Sequence, residues 1–451
     1  MDSGTPYDAI QEARECPEFG AMQGPEAILR VRGLAEAALW TPRMLEALEN
    51  GVKGGKWFSL IDKVYRRETL DVAWKKVKRN RGAAGVDKVS IAAFEKNADH
   101  HLDQLSTALR EGTYVAQPVR RVEIEKEGGK KRPLGIPTVK DRIVQTAVKM
   151  ALEPIYEMQF SMSSYGFRPG RSARQALLAV ETFLKLGYEW VVDVDFKGYF
   201  DSIPHDRMMM RVKESVADGR MLGLLEQWLK QDIVSELAQW TPTRGTPQGA
   251  VISPLLANLY LHPMDEHLAS KGYILIRYAD DFVIMCPTES EAKEALQEVK
   301  NWAAENKLEI HPDKTRIGNC REKGQGFDFL GYHFEGWSRD VRKKSAEKLK
   351  DSIRVHTPRR TSGTSLENTI RKLNMTLRGW FNYFRDGKRL TFVTIDQLVR
   401  RRLRAMLVNR KKKKGHGRTL RDHKTWTIAF FEEKGLFSLV KAHQLYRQPL
   451  G

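Results

Sequence analysis

Two apolar runs, residues 274–278 and 282–286, are separated by Ala279-Asp280-Asp281 alone. Such a gap reads as a strand, a tight turn and a returning strand. Any fold of this chain must therefore carry two adjacent carboxylates at the tip of a hairpin with buried arms. Upstream, Trp190 to Phe196 alternates, with Val192, Val194 and Phe196 on one face and Asp193 and Asp195 on the other. An Asp-Asp turn is common by itself, because Asp tolerates turn angles and hydrogen-bonds its own main chain. Next to a packed sheet, however, two neighbouring acids repel each other unless a cation is present. A strand-borne aspartate facing a second one in a hairpin turn supplies the oxygens that Mg²⁺ prefers. Asp195 and Asp280 suit those two positions, with Asp281 beside the second. Asp193 shares the face of Asp195, and nothing local separates the two.

Around this hairpin the pattern alternates between helix and strand. Ile61, Val64, Tyr65, Leu70, Ala73, Trp74 and Val77 recur at helical spacing, and residues 81–87 interrupt the helices as a loop. Val119, Val122 and Ile124 alternate ahead of the turn Glu127-Gly128-Gly129-Lys130, which reads as a second hairpin. Helical spacing returns over 141–156 and from Pro287 to Asn306. It also covers most of 343–410, with a break near 358–365. Residues 1–56 form an acidic, helix-leaning extension. At the other end, the Lys411–Lys414 run reads as a basic loop before a last short helical region.

Charge is partitioned sharply along the chain. Residues 341–451 hold 29 Lys plus Arg against 8 Asp plus Glu, a net of +21, while the preceding residues net to −2. A block this basic, interleaved with Trp380, Phe381, Tyr383, Phe384, Trp426, Phe430 and Phe431, suits a polyanion rather than a merely solvated face. No apolar run approaches the ~20 residues that span a bilayer, so no membrane partner is expected. Cys16, Cys286 and Cys320 are far apart in sequence and give neither a zinc pattern nor a disulfide framework. A reducing, intracellular setting is expected. The chain has no P-loop.

A series of segments then occurs in fixed order. Lys130-Lys131-Arg132-Pro133-Leu134-Gly135-Ile136-Pro137-Thr138 precedes Asp141-Arg142-Ile143-Val144-Gln145, and Ser164-Tyr165-Gly166-Phe167-Arg168-Pro169-Gly170-Arg171-Ser172 follows. Val192 to Asp201, Arg244-Gly245-Thr246-Pro247-Gln248-Gly249 and Ser253-Pro254-Leu255-Leu256-Ala257-Asn258 come next. Arg277-Tyr278-Ala279-Asp280-Asp281, His311-Pro312-Asp313-Lys314-Thr315 and Phe329-Leu330-Gly331-Tyr332 close the series. Over residues 57–410 the chain resembles bacterial group II intron-encoded reverse transcriptases and maturases.

The resemblance implies an α+β right-hand polymerase, with fingers and a palm built on an antiparallel sheet, plus a helical thumb that doubles as the maturase domain. The expected division is an extension over 1–56, fingers and palm over 57–335, thumb and maturase region over 336–408, and a basic DNA-binding-like segment over 409–451. It makes Asp195, Asp280 and Asp281 catalytic ligands of two Mg²⁺ ions. Lys126 and Arg132 would hold the triphosphate, Phe200 would act as steric gate against a 2′-hydroxyl, and Gln248 would contact the incoming nucleotide, with Gly249 allowing close backbone approach. Phe329 to Tyr332 would form the primer grip.

Downstream, Leu373 to Phe384 resembles the maturase-specific region, within which Gly379 suggests close packing against a neighbour. Arg378, Arg400, Arg401, Arg402, Lys411 and Lys412 are the implied nucleic-acid contacts. The expected partners are intron RNA, an RNA template–DNA primer duplex, target DNA and dNTPs, in the nucleoid-associated bacterial cytoplasm. The expected function is an RNA-directed DNA polymerase that also assists splicing and retrohoming of its intron as a mobile element. A relative serving CRISPR spacer acquisition or phage defence, or a splicing-only maturase, is the alternative. Paired cysteines and clustered histidines of an HNH-type endonuclease are missing from the C-terminal part, so no endonuclease domain is expected.

Overall fold

The computed structural model describes residues 32–33, 35–52, 54–125, 131–235, 238–358, 364–411 and 415–448. It divides into two units, residues 1–317 and 318–451. The first unit begins with α1 (Pro42–Asn50), started by Thr41, whose hydroxyl accepts from the Met44 N–H. Leu39 and Trp40 lie buried in the same core as the rest of the unit, and Trp40 Nε1 donates to the Met150 carbonyl at 3.0 Å. The described part of the N-terminal segment is thus built into this unit.

Helices α2 (Ile61–Val64), α3 (Arg67–Arg79), α4 (Ile91–Glu95) and α5 (Ala98–Glu111) follow. The stripe read from the sequence on α3, Leu70, Ala73, Trp74 and Val77, is buried. Strands β1 (Val119–Glu125) and β2 (Lys131–Ile136) pair antiparallel from Arg120↔Ile136 to Glu125↔Lys131. Lys126 and the turn Glu127 to Lys130 lie outside the described residues.

Helix α6 (Val139–Glu157), capped by Thr138, is buried on nearly every side, as a helix at the centre of a unit must be. After α7 (Ala173–Lys185) and β3 (Trp190–Asp195) come α8 (Tyr199–Ser202), α9 (His205–Ser215) and α10 (Gly219–Leu229). The short strands β4 (Ile233–Val234) and β5 (Gln239–Trp240) extend the first hairpin into a sheet of order β2-β1-β4-β5.

The second sheet has order β6-β7-β3-β8. It is formed by β6 (Ile274–Tyr278), β7 (Asp281–Cys286), β3 and β8 (Arg316–Asn319), the last lying where the chain passes into the second unit. Helices α7, α11 (Ser253–Ser270) and α12 (Glu289–Glu305) pack against this sheet. Its inner face carries Val192, Val194, Phe282 and Ile284, all fully buried. The opposite face carries Asp193, Asp195 and Asp281 beside Val191, Val283 and Met285, which are buried too.

The second unit opens with an antiparallel sheet of order β11-β10-β9, formed by β9 (Phe327–Phe329), β10 (Tyr332–Glu335) and β11 (Ser338–Val341). Three long helices follow, α13 (Lys343–His356), α14 (Leu366–Phe384) and α15 (Arg389–Arg410), then α16 (Leu420–Thr425), α17 (Ile428–Glu433) and α18 (Leu439–Arg447). Ile353, Leu373, Leu377, Phe392 and Leu403 share one core with Phe431 and Leu439. The basic C-terminal segment therefore folds onto the same core as the helices before it. Gly379 does not mark a close approach. It is exposed on α14, and among the described residues nothing lies within 4 Å of where a Cβ would sit.

Candidate active site

Strands β3 and β7 run antiparallel in a register that sets Asp195 directly opposite Asp281. Directly opposed residues point to the same side of a sheet, so both carboxylates lie on the face opposite Val192, Val194, Phe282 and Ile284. Strands β6 and β7 are joined by two residues, Ala279 and Asp280, and Tyr278 pairs with Asp281 to close the hairpin. Ala279 takes φ +62°, a left-handed conformation that is uncommon for a residue with a Cβ. Asp280 follows at the tip. Asp195 is thus brought beside the adjacent pair Asp280 and Asp281 at one end of the two central strands of the sheet.

Burial holds the Asp280 carboxyl above the usual carboxylate range, and the charge of Asp195 adds to the effect. A hydrogen bond from its own backbone and the charges of Arg132 and Arg277 act in the opposite direction. Lys314 donates from Nζ to both oxygens of Asp195, at 3.1 and 3.0 Å. Asp193, one pleat back on the same face, is 3.5 Å from Arg316 Nε. A cation therefore already sits against each aspartate of β3.

The residues expected around a nucleotide form a second group. Gln248 is held at both ends of its amide: Arg132 Nε donates to Oε1 at 3.0 Å, and Nε2 donates to Asp201 Oδ2 at 3.0 Å. Its loop docks on β2, where the Gly135 N–H donates to the Gln248 carbonyl at 2.6 Å. Gly249 has φ +107°, and a Cβ there would stand 2.4 Å from the Gly135 carbonyl oxygen, so the close approach requires glycine. Phe200, half-buried on α8, meets Phe167 edge-on with ring centroids 6.3 Å apart. Its carbonyl accepts from the Thr246 N–H at 2.7 Å, tying it to the same loop. Gln248 and Asp201 line an open cleft of about 420 Å³ together with Arg121, Trp240 and Arg244. The Arg121 guanidinium lies 5.3 Å from the centre of the Trp240 ring. Lys126 lies outside the described residues.

Could these residues hold a metal ion? Among the described residues no three of His, Cys, Asp and Glu close into a cage. That is compatible with Mg²⁺ at a phosphoryl-transfer centre, which takes one or two carboxylates and leaves its other positions to phosphates and water. The donor set is all oxygen, and the burial of Asp280, with the charge of Asp195 beside it, penalises a carboxylate that a divalent ion would stabilise. The residues fit the ion.

In the second unit the arginines expected to meet nucleic acid differ in their situations. Arg378 is exposed, with its guanidinium 4.6 Å from the centre of the Phe437 ring. Arg400 is 3.9 Å from the Asp396 carboxylate. Arg401 is half-buried. Arg402 directs its donors inside the unit, to Thr357 Oγ1 at 3.0 Å and to the carbonyls of Arg354 and Thr357. It thereby satisfies the open C-terminus of α13. Lys411 is exposed, 5.1 Å from the centre of the Trp426 ring, and Lys412 lies outside the described residues. Leu330 and Gly331, both with positive φ, make the turn between β9 and β10. Tyr383 Oη donates to the Leu330 carbonyl at 2.8 Å.

Lys314 and Arg277 fall within the ordered motifs, yet the sequence assigns neither of them a role. For Arg277 a signal was present, a guanidinium within an otherwise apolar strand. For Lys314 there was none, since its contact with Asp195 spans 119 positions.

Two family models and several known proteins match this chain. Residues 124–334 match the family described as reverse transcriptase (RNA-dependent DNA polymerase), and residues 346–426 match the group II intron, maturase-specific domain. Protein YkfC of Escherichia coli strain K12 is 33% identical over 300 residues, covering 58% of this chain and 76% of the relative. The group II intron-encoded protein LtrA of Lactococcus lactis subsp. cremoris is 38% identical over 217 residues, covering 46% of this chain and 36% of the relative. Among solved structures, a partial Cas6-RT-Cas1–Cas2 complex aligns with a TM-score of 0.37 and 28% identity, over 55% of this chain and 41% of that one. No helix among the described residues is long and apolar enough to cross a membrane. The α+β architecture, the two matched domains and these relatives agree: the chain belongs to the group II intron-encoded reverse transcriptase and maturase family, whose polymerase domain is metal-dependent.

Proposed function

We propose that this chain copies RNA into DNA at the end of strands β3 and β7 and that its second unit binds intron RNA. The observation that carries the first part is the convergence of Asp195 and Asp281 across β3 and β7 with Asp280 at the adjoining turn. In this reading Asp195 and Asp280 hold two Mg²⁺ ions, with Asp281 beside them. Bound there, the metal would lower the pKa of a primer 3′-hydroxyl and neutralise charge on the leaving pyrophosphate. The chain's own residues do the positioning, which is the larger part of such catalysis. Arg132 offers a fork to the triphosphate, as Lys126 does a point charge. Gln248, braced between Arg132 and Asp201, presents a fixed amide to the nucleotide. Phe200 lies beneath the sugar and rejects a 2′-hydroxyl.

The cleft beside Gln248 suits the strand being copied, since an arginine–tryptophan pair at its wall offers both charge and a stacking face. The surplus of basic residues after 341 supports a polyanionic partner for the second unit, with Arg378, Arg401 and Lys411 as contacts. Target DNA would follow the same surface. Assistance to splicing and retrohoming is the role this combination serves.

The test measures two quantities on one preparation. Retention of a group II intron RNA is compared with that of an unrelated folded RNA of equal length, and dNTP incorporation is followed on a primed RNA template. Preferential retention together with incorporation is expected. Retention without incorporation would make the chain a splicing factor alone, and incorporation without preference would remove the maturase role.

A further inference from the structure

Arg277 is the penultimate residue of β6 and has none of its surface exposed. Burying a guanidinium is strongly unfavourable unless its N–H groups find acceptors. Here Nε and Nη2 donate to the two oxygens of Asp265, at 2.7 and 2.5 Å. Nη1 donates to Asn258 Oδ1 at 3.0 Å and to the Ala279 carbonyl at 2.9 Å. Asp265 and Asn258 both lie on α11 and are themselves buried. The fork is thus aimed by one helix at a single peptide group, the one that joins Ala279 to Asp280.

A second grip acts on the other side of the same turn. Asn258 Nδ2 donates to the Gly166 carbonyl at 2.7 Å. Gly166 lies so close under the turn that a Cβ on it would be 2.2 Å from the Ala279 nitrogen. The Tyr165 N–H donates to the Arg277 carbonyl, and the Arg277 N–H to the Ser163 carbonyl, each at 2.8 Å. Ala279 holds its left-handed φ between these two contacts. Left free, a non-glycine residue would leave that conformation.

We infer that Arg277 is a positioning residue for the metal centre: braced by Asp265 and Asn258, its guanidinium fixes the Ala279–Asp280 peptide and so aims the Asp280 carboxylate. The inference rests on the proposed polymerase centre. It predicts that loosening the network weakens metal binding before it unfolds the protein, and that excess metal recovers part of the lost rate. A purely structural role would lower stability and leave the metal affinity of the folded fraction untouched.

The full chain is tested as wild type, Asp280→Asn, Arg277→Lys and Asn258→Ala. Arg277→Lys keeps the charge and loses the fork. Asn258→Ala leaves the Arg277–Asp265 pair in place and removes the brace to Gly166. Mn²⁺ binding to the protein alone is read by electron paramagnetic resonance of the free ion. Circular dichroism verifies folding, and single-turnover incorporation is followed against Mg²⁺ concentration. The expected result is a loss of Mn²⁺ affinity of roughly tenfold or more in both network variants, with the rate partly restored at high Mg²⁺. Unchanged affinity in a folded variant overturns the inference. So does failure of both variants to fold, which would leave Arg277 a stability residue only. If wild type binds no more Mn²⁺ than Asp280→Asn, the polymerase centre itself is wrong and the inference falls with it.

Discussion

Gly166 lies directly beneath the turn that carries Asp280, and Gly166→Ala perturbs that turn without touching any group proposed to react. The added methyl would stand 2.2 Å from the Ala279 nitrogen, 2.7 Å from the Tyr278 carbonyl carbon and 3.1 Å from the Ala279 Cα, all of them backbone atoms. Ordinary contact begins at 3.4 Å, so the turn and the methyl must separate by ~1 Å in a packed interior that yields little. The turn cannot simply recede, because the Arg277 guanidinium holds its carbonyl from the other side. Overpacking of this kind costs about 1–3 kcal/mol, which a folded domain survives. A displacement of ~1 Å at a reacting centre costs on the order of 100-fold in rate. The assay is single-nucleotide incorporation at saturating dNTP, with thermal melting and RNA binding measured on the same protein. A folded Gly166→Ala protein with a rate within about twofold of wild type, against the ~100-fold expected, would refute the claim that this contact sets the turn.

Other expectations follow from the same geometry. Phe200→Ala should admit ribonucleotides, reducing the preference for dNTP over rNTP by roughly 10- to 200-fold in competition assays, the range a single steric contact supplies. Without divalent metal, the raised Asp280 carboxyl keeps its proton to higher pH than an ordinary aspartate does. Its contribution to stability is present in acid and lost as pH rises through its folded pKa. Asp280→Asn cannot ionise, so melts in chelator should show the variant gaining on wild type as pH rises from about 4. A constant difference would contradict the sign. Arg402→Met should destabilise the protein by about 1–3 kcal/mol through its lost carbonyl partners, with little change in RNA affinity. Arg378→Gln should do the reverse, lowering RNA affinity and reducing the salt slope by about 1.

Much of the frame could be read from the sequence because the signals were local. The alternation of Trp190 to Phe196 and the brief gap between 278 and 282 define β3, β6 and β7, and so place Asp195 and Asp280 on strand and turn. Helix α6 was legible from spacing alone. What could not be read depends on distance or on packing. The brace on Arg277 comes from a helix 12 and 19 positions earlier, and nothing in the strand's own pattern names it. Arg402 looked like a phosphate contact because a charge run shows neither direction nor partner, yet its donors close the end of α13. Gly379 suggested packing and lies in the open, since a glycine in a helix reveals that a side chain is missing but not why. Trp40 looked like part of an extension because the carbonyl that its indole N–H meets, that of Met150, is 110 positions away.

The most direct measurement is primer extension on an RNA template with dNTPs and Mg²⁺, wild type beside Asp280→Ala, with RNA binding followed in parallel. The account predicts synthesis by wild type, none by the variant, and RNA binding retained by both. Synthesis by Asp280→Ala at the wild-type rate would contradict it, because no carboxylate at the tip of this hairpin would then be needed.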